Sequence, residues 1–478
     1  MKSPLEVIDD GVFSACEVRL RISSDDERIY RCEQPLRLLA GRRLTCLASS
    51  ESRQYVIKIY PTRSRTKDEF KKEVSGYELL HQASMDIPGR IYYGPASGDI
   101  NIVIYQYIDR AKMLSEVFSD RPSAKPAREK LRQFIELIIR LHGDGHIHED
   151  PHLDNFLYKA EKLYVLDFGA VRKVTNESLL EANFGLFMAQ FPPSWHLDED
   201  CLGQYVEALH SHDPVAATSI MLAEIERQRE WRERHVLKKI YRECSSYHVL
   251  SSLHGKMIIK RALVIESLIE MLSDPEHLFN GKAPLLKDGN STTVGIISVA
   301  GKDIAVKRYN IKKMVHRIKR LAGESRASRS WRNAHRMQLR GIATAEPVAM
   351  FECLKGKMRG VSVFAMQHLA GVNSADFFRD TAVDDKDRRR VAGKMLEIIA
   401  ELKRQRITHG DLKSTNFILG NKTFLIDLDA MRFHGHRSGF EKRHAQDVRR
   451  FRENWLGDER TEKLFDSLYE KYGLSESW

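Results

Sequence analysis

One stretch of sequence occurs twice in the chain and decides its fold. Residues 402–430 read LKRQRITHGDLKSTNFILGNKTFLIDLDA, and residues 141–169 read LHGDGHIHEDPHLDNFLYKAEKLYVLDFG. Placed in register, both copies have a histidine, an aspartate, an asparagine and a second aspartate in the same order. Because the copies lie about 260 residues apart, the repeat indicates two tandem domains of similar fold, not a solenoid.

The sequence around each copy follows the same order of elements. Each copy is preceded by apolar residues at helical spacing and contains two short apolar runs that predict a hairpin. Further upstream lies an alternating run with a lysine, YVIKIY at 55–60 and IAVKRY at 304–309, followed by a helix. This order predicts an α+β fold, in which each domain has a small sheet-rich lobe and a larger helical lobe.

The boundary between the two domains is expected at 240–250, so we place the domains at residues 1–245 and 246–478. Between the copies, from about 175 to 280, the pattern is mostly helical, as in VLKKIYREC and KRALVIESLIEMLSD. We assign most of this region to the helical lobe of the first domain. No stretch rich in glycine, serine and proline marks a linker.

The composition excludes several classes of protein. The 478 residues are 42% hydrophobic and 30% charged, which is typical of a globular chain and argues against disorder or coiled-coil arrays. The longest uncharged stretch, 182–197, is broken by two prolines, and the N-terminus has no secretory pattern. Six cysteines without CxxC spacing predict reduced thiols. We therefore expect a cytoplasmic protein.

The net charge of +11 is concentrated in one segment. Residues 307–340 contain 12 lysines and arginines and a single acid, Glu324. Such an excess predicts an anionic partner, and a solvated helix face is the alternative. The segment lacks the interleaved aromatic residues that stack on bases, so a phosphorylated glycan or an anionic lipid fits better than RNA.

The repeated residues suit metal-dependent phosphoryl transfer. The first aspartate can accept the proton of an attacking hydroxyl, and the asparagine and second aspartate offer the oxygen ligands that Mg²⁺ prefers. The upstream strand lysine can pair with nucleotide phosphates. One such set could consist of turn-forming residues alone, but two sets in the same order favour a catalytic arrangement.

Both halves resemble the protein-kinase-like superfamily. HEDPHLDN and HGDLKSTN match its catalytic loop, and LDFG and IDLD match its metal-binding strand end. The second half more closely resembles bacterial lipopolysaccharide core kinases, the Kdo/heptose (WaaP-like) kinase family, over nearly all of residues 284–432. The first half matches more loosely, and the resemblance implies two tandem bilobal kinase-like domains.

The resemblance also implies a reaction, cofactors and partners. The family phosphorylates a sugar hydroxyl of the lipopolysaccharide inner core with ATP and Mg²⁺, at the cytoplasmic face of the inner membrane. The implied partners are the core oligosaccharide, the anionic surface of the inner membrane and other core-assembly proteins, whereas nucleic acid is not expected. We accordingly expect a peripheral membrane association.

Roles for individual residues follow from the same resemblance. The catalytic bases would be Asp150 and Asp411. The metal ligands would be Asn155, Asp167, Asn416 and Asp427. The residues that bind the nucleotide would be Lys58, Glu73, Lys307, Gly289, Ser291 and Thr292.

The second half departs from the family pattern at the lysine's partner. Glu73 follows Lys58 by 15 residues on a predicted helix and can point back at it. The equivalent region of the second half offers only serines, with Glu324 as its nearest acid. Either Glu324 takes the role or Lys307 forms no such ion pair.

Both halves also differ from the kinase pattern at the glycine-rich loop and at the segment that supports a peptide substrate. Neither half has GxGxxG, since the second has only Gly289 before a polar run and the first only Gly41 before two arginines. Both also lack an APE-like segment, which favours a glycan or small-molecule acceptor over a peptide. Two alternatives therefore stay open: a pseudokinase scaffold of the core-assembly machinery, or a kinase acting on protein or a soluble small molecule.

Overall fold

The computed structural model describes residues 2–21, 27–119, 125–210, 213–253, 255–279, 284–310, 324–355 and 358–474. The chain divides into two compact units. The first comprises Met1–Phe191 and Trp195–Glu230, and the second comprises Pro192–Ser194 and Trp231–Trp478. Both contain helices and sheets, which confirms the predicted α+β class.

The first unit combines an antiparallel sheet with a group of helices. Its strands are β1 (Cys16–Arg21), β2 (Glu27–Leu39), β3 (Arg43–Ser50), β4 (Arg53–Pro61), β5 (Arg90–Ala96), β6 (Ile100–Gln106), β7 (Lys112–Met113), β8 (His146–His148), β9 (Phe156–Lys159), β10 (Lys162–Val165) and β11 (Val171–Lys173). Its helices are α1 (Pro4–Asp10), α2 (Ser64–Gln82), α3 (Leu114–Val117), α4 (Lys125–Gly143), α5 (Glu177–Met188) and α6 (Asp198–Leu209). The main sheet has the order β1-β2-β3-β4-β6-β5, and β10-β9-β7 and β11-β8 form two small sheets.

The second unit has the same kinds of element, after helix α7 (Pro214–Lys239), within which the division falls. Its strands are β12 (Tyr247–Ser252), β13 (Gly255–Lys260), β14 (Leu285–Asp288), β15 (Thr292–Val299), β16 (Lys302–Tyr309), β17 (Pro347–Lys355), β18 (Met358–Gln367), β19 (Val372–Asn373), β20 (Ile407–Thr408), β21 (Phe417–Leu419), β22 (Thr423–Leu425) and β23 (Arg432–Phe433). Its helices are α8 (Glu266–Ser273), α9 (Pro275–His277), α10 (Arg326–Arg340), α11 (Ser374–Arg379), α12 (Asp385–Arg404), α13 (Arg437–Glu453) and α14 (Glu459–Tyr469). The main sheet has the order β12-β13-β17-β18-β16-β15-β14, with β19-β21-β22 and β20-β23 beside it.

The helices and hairpins predicted around the two motifs are present. Helix α4 buries the apolar stripe that ends at Leu141, and α12 buries most of the stripe that ends at Leu402. Each motif is followed by an antiparallel hairpin, β9–β10 in the first unit and β21–β22 in the second. These local predictions are confirmed. They could be made because the sequence around each motif has a clear 3.6-residue periodicity before it and two short apolar runs after it.

The region between the two motifs differs from the predicted helical pattern. Strands β12 and β13 occupy residues 247–260, where we expected helix, and β13 pairs with β17 almost a hundred residues later in the chain. The helical prediction for these residues is wrong because short apolar runs such as MIIK suit a buried strand equally well. In addition, Ile240 is fully buried in a core of the second unit, and its carbonyl accepts a hydrogen bond from Trp331 Nε1 at 3.2 Å.

Strand alternation places the lysines of β4 and β16 on the side that faces the motifs. In β4, Ile57 and Ile59 pack in the cluster that includes α1, whereas Tyr60 packs in the cluster that includes α4 and the β9–β10 hairpin. Since successive side chains of a strand point to opposite faces, Lys58 shares the face of Tyr60. In β16, Val306 and Tyr309 divide between two clusters in the same way.

None of the helices in the described ranges is both long enough and apolar enough to cross a membrane.

The position of Ile240 makes a prediction about the limits of the second unit. A fragment that begins at residue 231 should unfold cooperatively, whereas one that begins at 246 loses Ile240 from the core and the acceptor of the Trp331 hydrogen bond. We expect the shorter fragment to be less stable by about 2–5 kcal/mol, as for the loss of a large buried side chain. Urea unfolding followed by circular dichroism measures this difference, and equal stability of the two fragments would contradict it.

Candidate active site

In the first unit, the strand lysine is held by two carboxylates. Lys58 Nζ lies 2.6 Å from Glu73 Oε1 and 3.1 Å from Asp167 Oδ1. Glu73 is fully buried and also accepts hydrogen bonds from the Tyr105 hydroxyl and from the backbone N–H of Gly169. The helix, the sheet and the end of the hairpin thus meet at a single carboxylate.

Asp167 sits at a backbone position that few residues adopt. Its φ of 54° is left-handed, a conformation that aspartate tolerates better than most residues and that is common at functional sites. Burial alone would raise the pKa of Asp167, but the charges of Lys58 and Arg43 and the hydrogen bond from Lys58 lower it to about 2. The carboxylate is therefore ionised at neutral pH and faces two cations.

The first motif forms a loop that is tied to the hairpin. His148 Nε2 lies 3.0 Å from the carbonyl oxygen of Leu166, and burial lowers the pKa of this histidine. Asn155 Nδ2 donates to the carbonyl of Asp150 at 2.7 Å, and the backbone N–H of Leu166 donates to the carbonyl of Asn155 at 2.8 Å. These bonds bring the segments that carry Asp150, Asn155 and Asp167 together.

The second unit repeats the contact between lysine and strand-end aspartate. Lys307 Nζ lies 2.5 Å from Asp427 Oδ1, and the Lys307 side chain is buried. Asp427 also has a left-handed φ, 66°. Burial opposes ionisation of Asp427, but the charge of Lys307 and the hydrogen bond with Asp429 hold its pKa well below the usual range.

The second motif is tied to its hairpin by equivalent bonds. His409 Nε2 lies 2.9 Å from the carbonyl of Ile426, and Asn416 Nδ2 donates to the carbonyl of Asp411 at 2.8 Å. The loop is further held by the buried Asp447, which accepts the backbone N–H groups of His409 at 2.6 Å and Gly410 at 2.9 Å. The first unit has the buried Asn183 in this position, bonded to the backbone of His148.

Glu324 does not pair with the second lysine. Its carboxylate forms an ion pair with Arg332 at 2.7 Å and accepts a hydrogen bond from Ser328 Oγ at 3.0 Å. Of the two outcomes left open by the sequence, the one without a helix glutamate is found. Within the described residues, the carboxylate that forms an ion pair with Lys307 is that of Asp427.

Ser330 occupies the position that Glu73 has in the first unit. Three residues after Glu73, Gly76 lies so close to the carbonyl of Phe168 that a Cβ atom would meet the oxygen at 1.9 Å. Three residues after Ser330, Asn333 donates to the equivalent carbonyl, that of Leu428, at 2.8 Å. The buried Ser330 is hydrogen-bonded to the Tyr309 hydroxyl at 2.6 Å, so the helix offers no negative charge there.

A second aspartate, in the turn that follows the β21–β22 hairpin, supplies a carboxylate in the second unit. Asp429 stands where the first unit has Gly169, and it forms an ion pair with Arg326 of α10 at 2.5 Å. Burial and the hydrogen bond with Asp427 raise the pKa of Asp429. Neither residue was predicted from the sequence, since Arg326 belongs to the basic segment that was interpreted as binding an anionic partner. The IDLD spacing is the signal that could have found Asp429.

A cavity of about 210 Å³ lies beside this pair in the second unit. Lys307, Asn416 and Asp427 line it together with Thr292, and its other lining residues are largely apolar, such as Phe364. The described lining residues do not include Gly289 or Ser291, which lie in the turn before β15, where the Gly289 N–H bonds the Thr292 carbonyl at 3.1 Å. Of the three loop residues expected to bind nucleotide, the structure thus brings only Thr292 to the cavity.

The proposed base of the second motif has two cationic neighbours. Arg450 donates to Asp411 Oδ1 at 2.9 Å and to the carbonyl of Gly410 at 3.1 Å. Lys413 lies 3.0 Å from the same carboxylate. Among the described residues of the first unit, no cationic side chain lies within ion-pair distance of the Asp150 carboxylate.

The basic segment at 307–340 is only partly described, since residues 311–323 lie outside the described ranges. Four of the five arginines of its helix are paired within the second unit: Arg336 and Arg340 both bond Glu233, at 2.7 and 2.8 Å, Arg332 pairs with Glu324, and Arg326 pairs with Asp429. These arginines stabilise the unit, so the expected anionic partner has no free positive surface among them.

Each unit thus has a largely buried lysine on a strand, an aspartate at a strand end, and a loop with an aspartate and an asparagine, a set of groups compatible with metal-dependent phosphoryl transfer. Residues 276–472 match the model of the lipopolysaccharide kinase (Kdo/WaaP) family, so the chain is similar to that family over this range. The protein is accordingly a kinase, a phosphotransferase with an alcohol group as acceptor. No curated protein matches the chain.

The contacts of Glu73 predict a large effect of its removal in the first unit. Glu73→Gln leaves Lys58 and two hydrogen-bond donors without a buried carboxylate, and we expect a loss of about 2–4 kcal/mol in stability. The control is Glu129→Gln, because Glu129 forms an exposed pair with Arg132, and we expect a change within about 0.5 kcal/mol. Urea unfolding measures both, and equal effects would contradict the role of Glu73.

Proposed function

We propose that the protein consists of two tandem kinase-like domains and transfers the γ-phosphoryl group of ATP to a sugar hydroxyl of the lipopolysaccharide inner core. We assign the transfer to the second unit. The observation that carries this proposal is the cavity lined by Lys307, Asn416 and Asp427, within the part of the chain that is similar to the kinase family.

The residues of this cavity fit a nucleotide with Mg²⁺. Asn416 uses its amide nitrogen to bond Asp411, so its carboxamide oxygen is available, and Asp427 is ionised. Both offer the oxygen ligands that Mg²⁺ prefers. No three His, Cys, Asp or Glu side chains in the described ranges form a metal cluster, so phosphate and water oxygens would complete the ligand set. The bound ion would neutralise charge on the transferred phosphoryl group.

Lys307 would pair with the phosphates of the nucleotide. Burial of its ammonium alone would lower the pKa of Lys307, but the charges of Asp427 and Asp429 and the hydrogen bond to Asp427 raise it. Because the cavity of about 210 Å³ is smaller than the roughly 300 Å³ of typical ligand pockets, a nucleotide would extend beyond it. Its apolar lining residues, including Phe364 and Met366, suit the base.

Asp411 would accept the proton of the attacking sugar hydroxyl. It lies on the loop that Asn416 and Asp447 hold in place, and Arg450 orients its carboxylate. Such a positioned base contributes typically about 10²–10⁴-fold to the rate. Positioning and charge neutralisation supply the rest, because phosphoryl transfer needs little covalent chemistry from the protein.

We infer that the first unit has an accessory role, closer to the pseudokinase alternative. Its Lys58, Glu73 and Asp167 are arranged as in a kinase, but Arg43 also acts on Asp167 and Glu73 electrostatically. A fixed arginine charge at this carboxylate competes with a metal ion. Asn155 and Asp150 of this unit would then support the loop without turning over substrate.

The division of labour is tested by matched substitutions of the two bases. Asp411→Asn should lower phosphate transfer to the lipopolysaccharide core by about 10²–10⁴-fold, since it removes the proton acceptor without changing the shape of the side chain. Asp150→Asn should leave transfer unchanged. The readout is the mass of the core after incubation with ATP and Mg²⁺, or radiolabel from ATP.

The opposite pattern, loss of transfer in Asp150→Asn alone, would assign catalysis to the first unit and refute the proposal. Absence of any transfer by the native protein to lipopolysaccharide, with transfer to protein or to a soluble sugar, would refute the proposed acceptor.

A further inference from the structure

A second cavity lies beside the proposed base and is not part of the nucleotide site. It has a volume of about 320 Å³, within the range of small-molecule pockets. Its lining comes from β20 and the motif loop, from the turn after the hairpin and β23, and from helix α13: Thr408, Gly410, Ala430, Arg432, Arg443, Gln446, Asp447, Arg449, Arg450 and Glu453. Four arginines against two acids give this lining a net positive charge.

Three of these arginines are available for a ligand. Arg450 is engaged with Asp411, but the described residues include no carboxylate within ion-pair distance of Arg432, Arg443 or Arg449. The buried acid, Asp447, is bonded to two backbone N–H groups of the motif loop and faces the loop. This differs from α10, where four of the five arginines are paired with acids of the same unit.

The first unit lacks this set of arginines. Asn183 holds the first motif loop as Asp447 holds the second, so the two helices can be compared residue by residue. In the first unit, the positions of Arg443, Arg449 and Arg450 are occupied by Leu179, Gly185 and Leu186. The position of Arg432 is occupied in the first unit by another arginine, Arg172. Arg172 forms an ion pair with Glu149. The second unit has Gly410 at the position of Glu149, so Arg432 has no such partner there.

We propose that this cavity binds an anionic group, a phosphate or a carboxylate, on the sugar acceptor. Guanidinium groups bind both anions with paired, charge-assisted hydrogen bonds. Arg450 contacts the carboxylate of Asp411 and also lines the cavity, so an anion held there would place a neighbouring sugar hydroxyl at the base. The inference rests on the proposed function and adds the place on this chain where the anionic group of the acceptor is bound.

The binding test uses the full chain and needs no turnover. Calorimetry measures the affinity for inorganic phosphate, for glucuronate and for uncharged glucose. The double substitution Arg443→Gln with Arg449→Gln should weaken binding of the preferred anion by about 10- to 100-fold. Arg437→Gln is the matched control, because Arg437 lies on the same helix, pairs with Glu441 and does not line the cavity. Whichever anion binds more tightly identifies the charged group.

The kinetic test uses acceptors with and without the charged group. The double substitution should raise the KM for the charged acceptor by about 10- to 100-fold and leave the KM for ATP unchanged. Anion binding that is equal in native protein and double variant, or absent from both, would overturn the inference. Anion binding that depends on the arginines, in a protein that transfers no phosphate, would instead refute the proposed function while leaving the cavity as an anion site.

Discussion

The ion pair between a strand lysine and a strand-end aspartate is the contact on which each unit depends. It joins Lys58 to Asp167 and Lys307 to Asp427, residues separated by 109 and 120 positions in the chain. Because both partners are largely buried, each charge needs the other, and removing one partner leaves a costly unpaired charge. The sheet, the motif loop and the hairpin are therefore held in one arrangement, in which the remaining polar groups converge.

The two units support this contact in different ways. In the first, Glu73 lies on the helix and binds both the lysine and the backbone at Gly169. In the second, the helix presents Ser330 instead, and a carboxylate appears on the loop as Asp429, held by Arg326 of the helix. In the first unit the helix supplies the negative group, Glu73, and in the second it supplies the positive group, Arg326. Both units therefore keep a polar contact between this helix and the turn after the hairpin, although the second unit lacks the helix glutamate.

Much of this could be predicted from the sequence, because the repeated motif fixed the register between the halves. The hairpins, the helices before the motifs and the approach of Glu73 to Lys58 follow from local patterns. Strands β12 and β13 could not be predicted, since they depend on pairing with distant β17. The arginines around Arg443 were also missed, because a charge run on a helix does not show which side chains lack partners.

The central claim, that the second unit holds the nucleotide, is tested most directly by calorimetric titration with a non-hydrolysable ATP analogue and Mg²⁺. Matched variants Lys307→Met and Lys58→Met each remove one buried ammonium of the two units. We expect one binding site in the native protein, which is lost in Lys307→Met and retained in Lys58→Met. Retention in Lys307→Met, together with loss in Lys58→Met, would contradict it.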